Sequence, residues 1–377
     1  MRRQGLGWFI CTIFQGMILV SSALGQTVDK TNTHKLEIIS APLTIDRIYR
    51  AMEGPKDARS VSFPARNAAS NDKNDLIWLT GMKTDVFDVE NNSNRLQEHL
   101  CHVTLTLNEK TVENRHALFD SMKRQRVRLM SLFQGQTELH FPPNFAIPIL
   151  STESLFLGAR VLNNNEIPKE PYHLKLKNTI EYVYDEELTH KMNPLFLRLY
   201  VVQVPVTGMA SSSHCDSGEE EERLEGPSEE KTAEVANGSW KRLEKDKNGN
   251  VYSYHWMVPP GRHIYHYRLQ EGLEISYDTT AHYINVHLHP FGQYVELRDL
   301  TTGKTVFKGR AKNFKNNRRG ITYSESYSSE KGILLHKDHN YEIVCEYNNT
   351  TSEDVDAMAK MFVFYLDKTF DKEQLRR

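Results

Sequence analysis

His287 and His289 lie two residues apart in Asn285-Val286-His287-Leu288-His289-Pro290-Phe291-Gly292. The run reads as a β-strand, and side chains alternate faces along a strand, so both imidazoles are expected on one side. Two imidazoles on one face of a stiff element make half of a metal site. Met358, in Ala357-Met358-Ala359-Lys360, stands before another strand-like run and offers a third donor. A thioether beside two imidazoles is a soft, neutral set that favours copper, Cu(I) above all, over zinc or magnesium. On the residues alone the competing reading is two satisfied strand histidines and a core methionine.

The elements that must position these donors are strands. Val103, Leu105 and Leu107 alternate with Thr104 and Thr106, and Tyr172, Leu174 and Leu176 alternate with His173, Lys175 and Lys177. Leu155–Leu162, Leu197–Val206, Tyr341–Tyr347 and Met361–Leu366 are further apolar or alternating runs of strand length. Tyr294–Arg298 and Thr305–Lys308 flank Asp299-Leu300-Thr301-Thr302-Gly303-Lys304 as the arms of a hairpin would. Period-two alternation with polar turns predicts an all-β protein of antiparallel sandwiches. Glu113–Met130, rich in Arg, reads as a short helix or an excursion between strands.

Ser211–Glu234 interrupts this pattern. It contains Glu219-Glu220-Glu221-Glu222 and no aromatic residue, so it cannot bury enough apolar surface to order itself. It predicts an acidic, disordered linker or loop over 208–247. The expected units are a signal peptide over 1–25, a sandwich over 26–207, and a second, metal-binding sandwich over 248–370. The signal rests on Arg2 and Arg3, the apolar Trp8–Val20 segment and the small residues of Ala23-Leu24-Gly25. No later segment is apolar enough to span a bilayer. A secreted or periplasmic chain, with no membrane span in its mature form, is the expectation.

Within 377 residues, 25% are charged and the formal net charge is -2, a balance that argues against a nucleic-acid partner. Beyond the leader only Cys101, Cys215 and Cys345 remain. An odd, small count leaves at least one thiol unpaired within the chain and excludes a disulfide scaffold.

Tyr254-His255-Trp256-Met257-Val258-Pro259-Pro260-Gly261, Val286-His287-Leu288-His289 and the late Met358 before Met361–Tyr365 occur in an order and spacing that resemble the C-terminal domain of the copper type II, ascorbate-dependent monooxygenases. That family includes peptidylglycine α-hydroxylating monooxygenase and dopamine β-monooxygenase, and the match spans about residues 250–367. The resemblance implies two jelly-roll-like sandwiches. It implies His287, His289 and Met358 as ligands of an oxygen-binding copper. It also implies an oxidoreductase that hydroxylates a C–H bond of a small-molecule or peptide substrate, with dioxygen and a reductant such as ascorbate.

The family's second, N-terminal copper is held by three histidines. Of these only His102 carries over, because Cys101 stands where another would be and Arg160-Val161-Leu162-Asn163-Asn164 contains none. Either that centre is rebuilt from His99, Cys101, His140 and His173, or it is lost and one copper remains. Asn285 stands where the peptide-hydroxylating member has an Arg for the substrate carboxylate. The alternative on the same scaffold is a non-catalytic, extracytoplasmic copper-binding or interaction protein. His255, Trp256, His263, His266 and His282 read as structural residues.

Overall fold

The computed structural model describes residues 33–49, 53–66, 74–90, 97–107, 128–205, 243–245, 251–270, 272–315 and 318–376. The expected signal peptide, Cys215 and nearly all of the acidic stretch lie outside the described residues. So does most of 113–130, whose end enters the strand Arg128–Phe133.

The chain is all-β, two antiparallel jelly-roll-like sandwiches; among the described residues one five-residue α-helix, Lys372–Arg376, lies near the end. One long sheet runs through both halves in the order His34–Ile39, Tyr172–Tyr184, Leu76–Asp88, Phe145–Leu150, Asn193–Val201, Ala359–Leu366, Thr279–Leu288, Ser326–Leu335. A four-stranded sheet, Lys56–Val61, Leu155–Val161, Leu100–Leu107 and Arg128–Phe133, covers the first half. A five-stranded sheet covers the second: Gly261–Arg268, Tyr341–Asn349, Gly292–Asp299, Lys304–Asn313 and Ile321–Ser324.

Alternation explains why these segments take these faces. In Tyr172–Tyr184 the residues Leu174, Leu176, Ile180 and Tyr182 are buried, while Lys175 and Lys177 point outward. The first core packs Leu79, Met82 and Val86 of the long sheet against Val103, Leu105 and Leu157 of its cover. The second packs Ile284, Val286, Met361 and Val363 against Val295, Leu297, Ile343 and Cys345. Each fully buried aliphatic side chain of this kind contributes roughly 1.5–3 kcal/mol. The sheets of the second sandwich approach so closely at Gly309 that a Cβ there would sit 2.8 Å from the Val286 methyls.

Asn193–Val201 ties the halves together. It runs parallel to Phe145–Leu150 over two residues and antiparallel to Ala359–Leu366 along most of its length. The expected hairpin forms, with Tyr294 opposite Arg310 and Asp299 opposite Lys304.

Candidate metal centre

The donors of interest gather at one end of the strand Thr279–Leu288. Leu288 pairs with Ala359, and the His289 amide then donates to the Met358 carbonyl at 3.3 Å. Tyr347 fixes this junction from the covering sheet. Its buried hydroxyl donates to the Met358 carbonyl at 2.6 Å and accepts the amides of His289 and Met358 at 3.1 and 3.3 Å. The chain turns immediately afterwards: the Gly292 amide bonds back to the His289 carbonyl, and Phe291 holds a φ of 73°, an uncommon conformation for a residue with a Cβ.

A second short ribbon supplies the remaining groups. Trp256–Val258 pairs with Val355–Ala357, setting Asp356 opposite Met257 and bringing His255, just ahead of the ribbon, to the site. Asp356 Oδ2 lies 2.5 Å from His289 Nδ1, and Asp356 Oδ1 lies 3.6 Å from His255 Nδ1. The His255 and His289 rings are 5.4 Å apart, centre to centre, as are those of His287 and His289.

His255, His289 and Asp356 form a buried group whose ligand atoms lie within 4.8 Å of one another, so the group could hold a metal ion. Among the described residues no other set of three such donors converges. Both nitrogens of His255 and Nδ1 of His287 are buried without a hydrogen-bond partner. An unpaired buried nitrogen costs about 1–3 kcal/mol, and a bound ion would remove that cost.

Electrostatics keep His255, His287 and Asp356 in ligand form. Burial pushes His255 down to about 4, against the pull of Asp356. Burial and then the neighbouring His289 push His287 well below the usual imidazole range. Burial alone would raise Asp356, but the imidazoles of His289 and His255 hold it well below the usual carboxylate range. Neutral imidazoles beside a carboxylate are the forms that coordinate cations.

Of the four residues singled out from the sequence, His287 and His289 come together, and Met358 joins them through its backbone. The Met358 side chain is 3% exposed. His102 sits in the first sandwich opposite Phe133, whose ring is 5.0 Å from that of His287. His102 Nδ1 lies 3.2 Å from Cys101 Sγ. The other candidates for a rebuilt N-terminal centre are dispersed. His99 Nδ1 contacts the Leu162 carbonyl, His140 pairs with Glu181, and His173 bonds Thr44.

His255 was expected to be structural and Asp356 was not anticipated; both belong to the candidate centre. No local signal joins them to His289, because only the Trp256–Val258 ribbon brings positions 255 and 356 together. His282 does pack structurally, stacked on Phe145 with ring centres 3.9 Å apart.

No family model matches the chain, and no curated protein matches it. Solved structures similar to it include the major capsid protein P2 from bacteriophage PM2, at 8% identity and a TM-score of 0.31, covering 88% of this chain and 97% of that one. The STIV MCP matches at 8% identity and a TM-score of 0.35, over 90% of this chain and 98% of that one. PNGF-II matches at 9% identity and a TM-score of 0.32, over 89% of this chain and 65% of that one. Likeness at this level carries no role to this chain.

The copper monooxygenase expectation is corrected by these findings. No family model and no curated protein carries it. The hydroxylating enzyme, the oxidoreductase assignment and the use of dioxygen with ascorbate are withdrawn with it. The structure also gives a physical reason. A carboxylate belongs to the group able to hold a metal, His255, His289 and Asp356, which makes it a harder and more charged set than the one the resemblance implied. A group able to hold a metal is present; copper as its ion and ascorbate as a partner are not shown.

Proposed function

We propose that this chain is an exported, non-catalytic metal-binding protein that holds one first-row transition ion at His255, His289 and Asp356. The observation that carries the reading is His255, only 5% exposed, whose two nitrogens make no hydrogen bond and whose Nδ1 lies 3.6 Å from a carboxylate already drawn to His289. Burying a polar ring with no partner is unfavourable unless something binds it. His287 is the adjacent fourth donor, its ring 5.4 Å from that of His289. Imidazole-rich donors bind copper most tightly of the divalent ions, so copper is the assigned ion, with zinc next. The two-sandwich division at 208–247, export through the N-terminal signal and the absence of a nucleic-acid partner belong to the same reading. Among the described residues no helix is long and apolar enough to cross a membrane.

The test is metal content after equilibration of the full chain with copper or zinc and removal of excess ion. Wild type should retain an ion that His255→Ala and His289→Ala lose while both variants keep the wild-type far-ultraviolet spectrum. A folded His289→Ala protein that retains the same ion load would overturn the proposal.

A further inference from the structure

The turn 336–340 between the strands Ser326–Leu335 and Tyr341–Asn349 carries a second pair of histidines, which the sequence reading left unassigned. The rings of His336 and His339 lie 4.4 Å apart, centre to centre, inclined by 34°. Each faces its own carboxylate through the same nitrogen. His336 Nδ1 lies 2.8 Å from Asp278 Oδ2, and His339 Nδ1 lies 2.7 Å from Asp299 Oδ2.

Both carboxylates are held by backbone donors. Asp278 Oδ1 accepts the Lys337 amide at 2.9 Å, and Asp299 Oδ1 accepts the amides of Thr301 and Thr302. The turn is locked as well: the Tyr341 hydroxyl donates to the His336 carbonyl and accepts the His336 amide. Each carboxylate in its ionised form can only accept, and each lies within hydrogen-bond reach of an Nδ1. The proton of each neutral imidazole is therefore on Nδ1, and each Nε2 presents a lone pair.

Neither Nε2 takes a further hydrogen bond among the described residues, and the two side chains are 37% and 23% exposed. A carboxylate that orients Nδ1 while Nε2 faces outward is how metal-ligating histidines are held. Two such histidines, with rings 4.4 Å apart and tilted by 34°, can offer two nitrogens to one ion, with water completing its shell.

We propose that His336 and His339 form a second, solvent-accessible site for a divalent transition ion, oriented by Asp278 and Asp299. It does not depend on the buried centre. Leu335 pairs with Thr279 at the start of the strand whose other end leads into His289. Ten residues of strand separate the two places, about 30 Å. Copper(II), nickel(II) and zinc suit imidazole donors, whereas magnesium and calcium do not.

The experiment is a titration of the full-length chain with copper(II), read by calorimetry and by the electron paramagnetic resonance signal of bound copper. Wild type should show two nitrogen-coordinated copper signals: one is lost in His336→Ala and in His339→Ala and kept in His289→Ala, while the other is lost only in His289→Ala. Asp299→Asn should weaken the first of these coppers at least tenfold, because the amide no longer enforces a proton on Nδ1. Both histidine variants sit on a surface turn and should keep the wild-type melting temperature without metal. A folded double variant, His336→Ala with His339→Ala, that binds as many copper ions as wild type would overturn the proposal.

Discussion

Asp356 and His289 meet at 2.5 Å between a carboxylate oxygen and Nδ1, across a junction formed by a two-stranded ribbon and the end of the long sheet. The contact fixes the imidazole ring and leaves its Nε2 for another partner. It also brings the carboxylate within 3.6 Å of His255. Asp356 thus serves both histidines, and the ribbon that carries it decides whether the centre exists.

Asp356→Asn should lower affinity for copper and zinc by one to two orders of magnitude, the usual effect of losing an orienting or ligating carboxylate. Isothermal titration of variant and wild type at equal pH measures it. An unchanged affinity would remove Asp356 from the site.

His255→Phe separates binding from folding. Phe fills the space and removes two buried nitrogens that make no hydrogen bond, so the metal-free variant should melt at or above the wild-type temperature. Added metal should raise the wild-type melting temperature and leave the variant where it was. Marked destabilisation of the metal-free variant would mean that the His255 nitrogens are satisfied in the native state.

Gln136 joins the two sandwiches. Its Nε2 donates to Tyr283 Oη at 2.6 Å, and its Oε1 accepts Asn285 Nδ2 at 3.0 Å. Gln136→Ala strips a partner from two buried groups and should cost about 3 kcal/mol in chemical denaturation. A loss under about 0.5 kcal/mol would show the contact to be dispensable.

Acid sensitivity should centre on Glu296. Burial would raise this carboxyl, yet hydrogen bonds from Arg298, Thr305 and Lys308 bring it down to about 2 from an ordinary 4.5. A folded value below the unfolded one means the stabilisation is fully present above about 4.5. It is lost as the pH falls from there through about 2. Glu296→Gln should flatten the stability profile across that window and be less stable than wild type at neutral pH. Parallel profiles for the two proteins between pH 4.5 and 2 would refute the assignment.

The sequence by itself determined the class of the fold. Alternation in Tyr172–Tyr184 and in Tyr341–Tyr347, and the turn at Asp299–Lys304, are local consequences of a two-residue side-chain period. It also determined that His287 and His289 would be neighbours, because two residues of strand and turn bring their rings within 5.4 Å. Tertiary structure alone decided which groups meet them. His255, Asp356 and Tyr347 are separated from His289 by 34, 67 and 58 positions, and they converge only through strand pairing and the closure of one sheet on another. The pairing of His336 with Asp278 and of His339 with Asp299 was hidden for the same reason. A spacing along the chain specifies which face a side chain takes; it does not specify what the opposite sheet will place there.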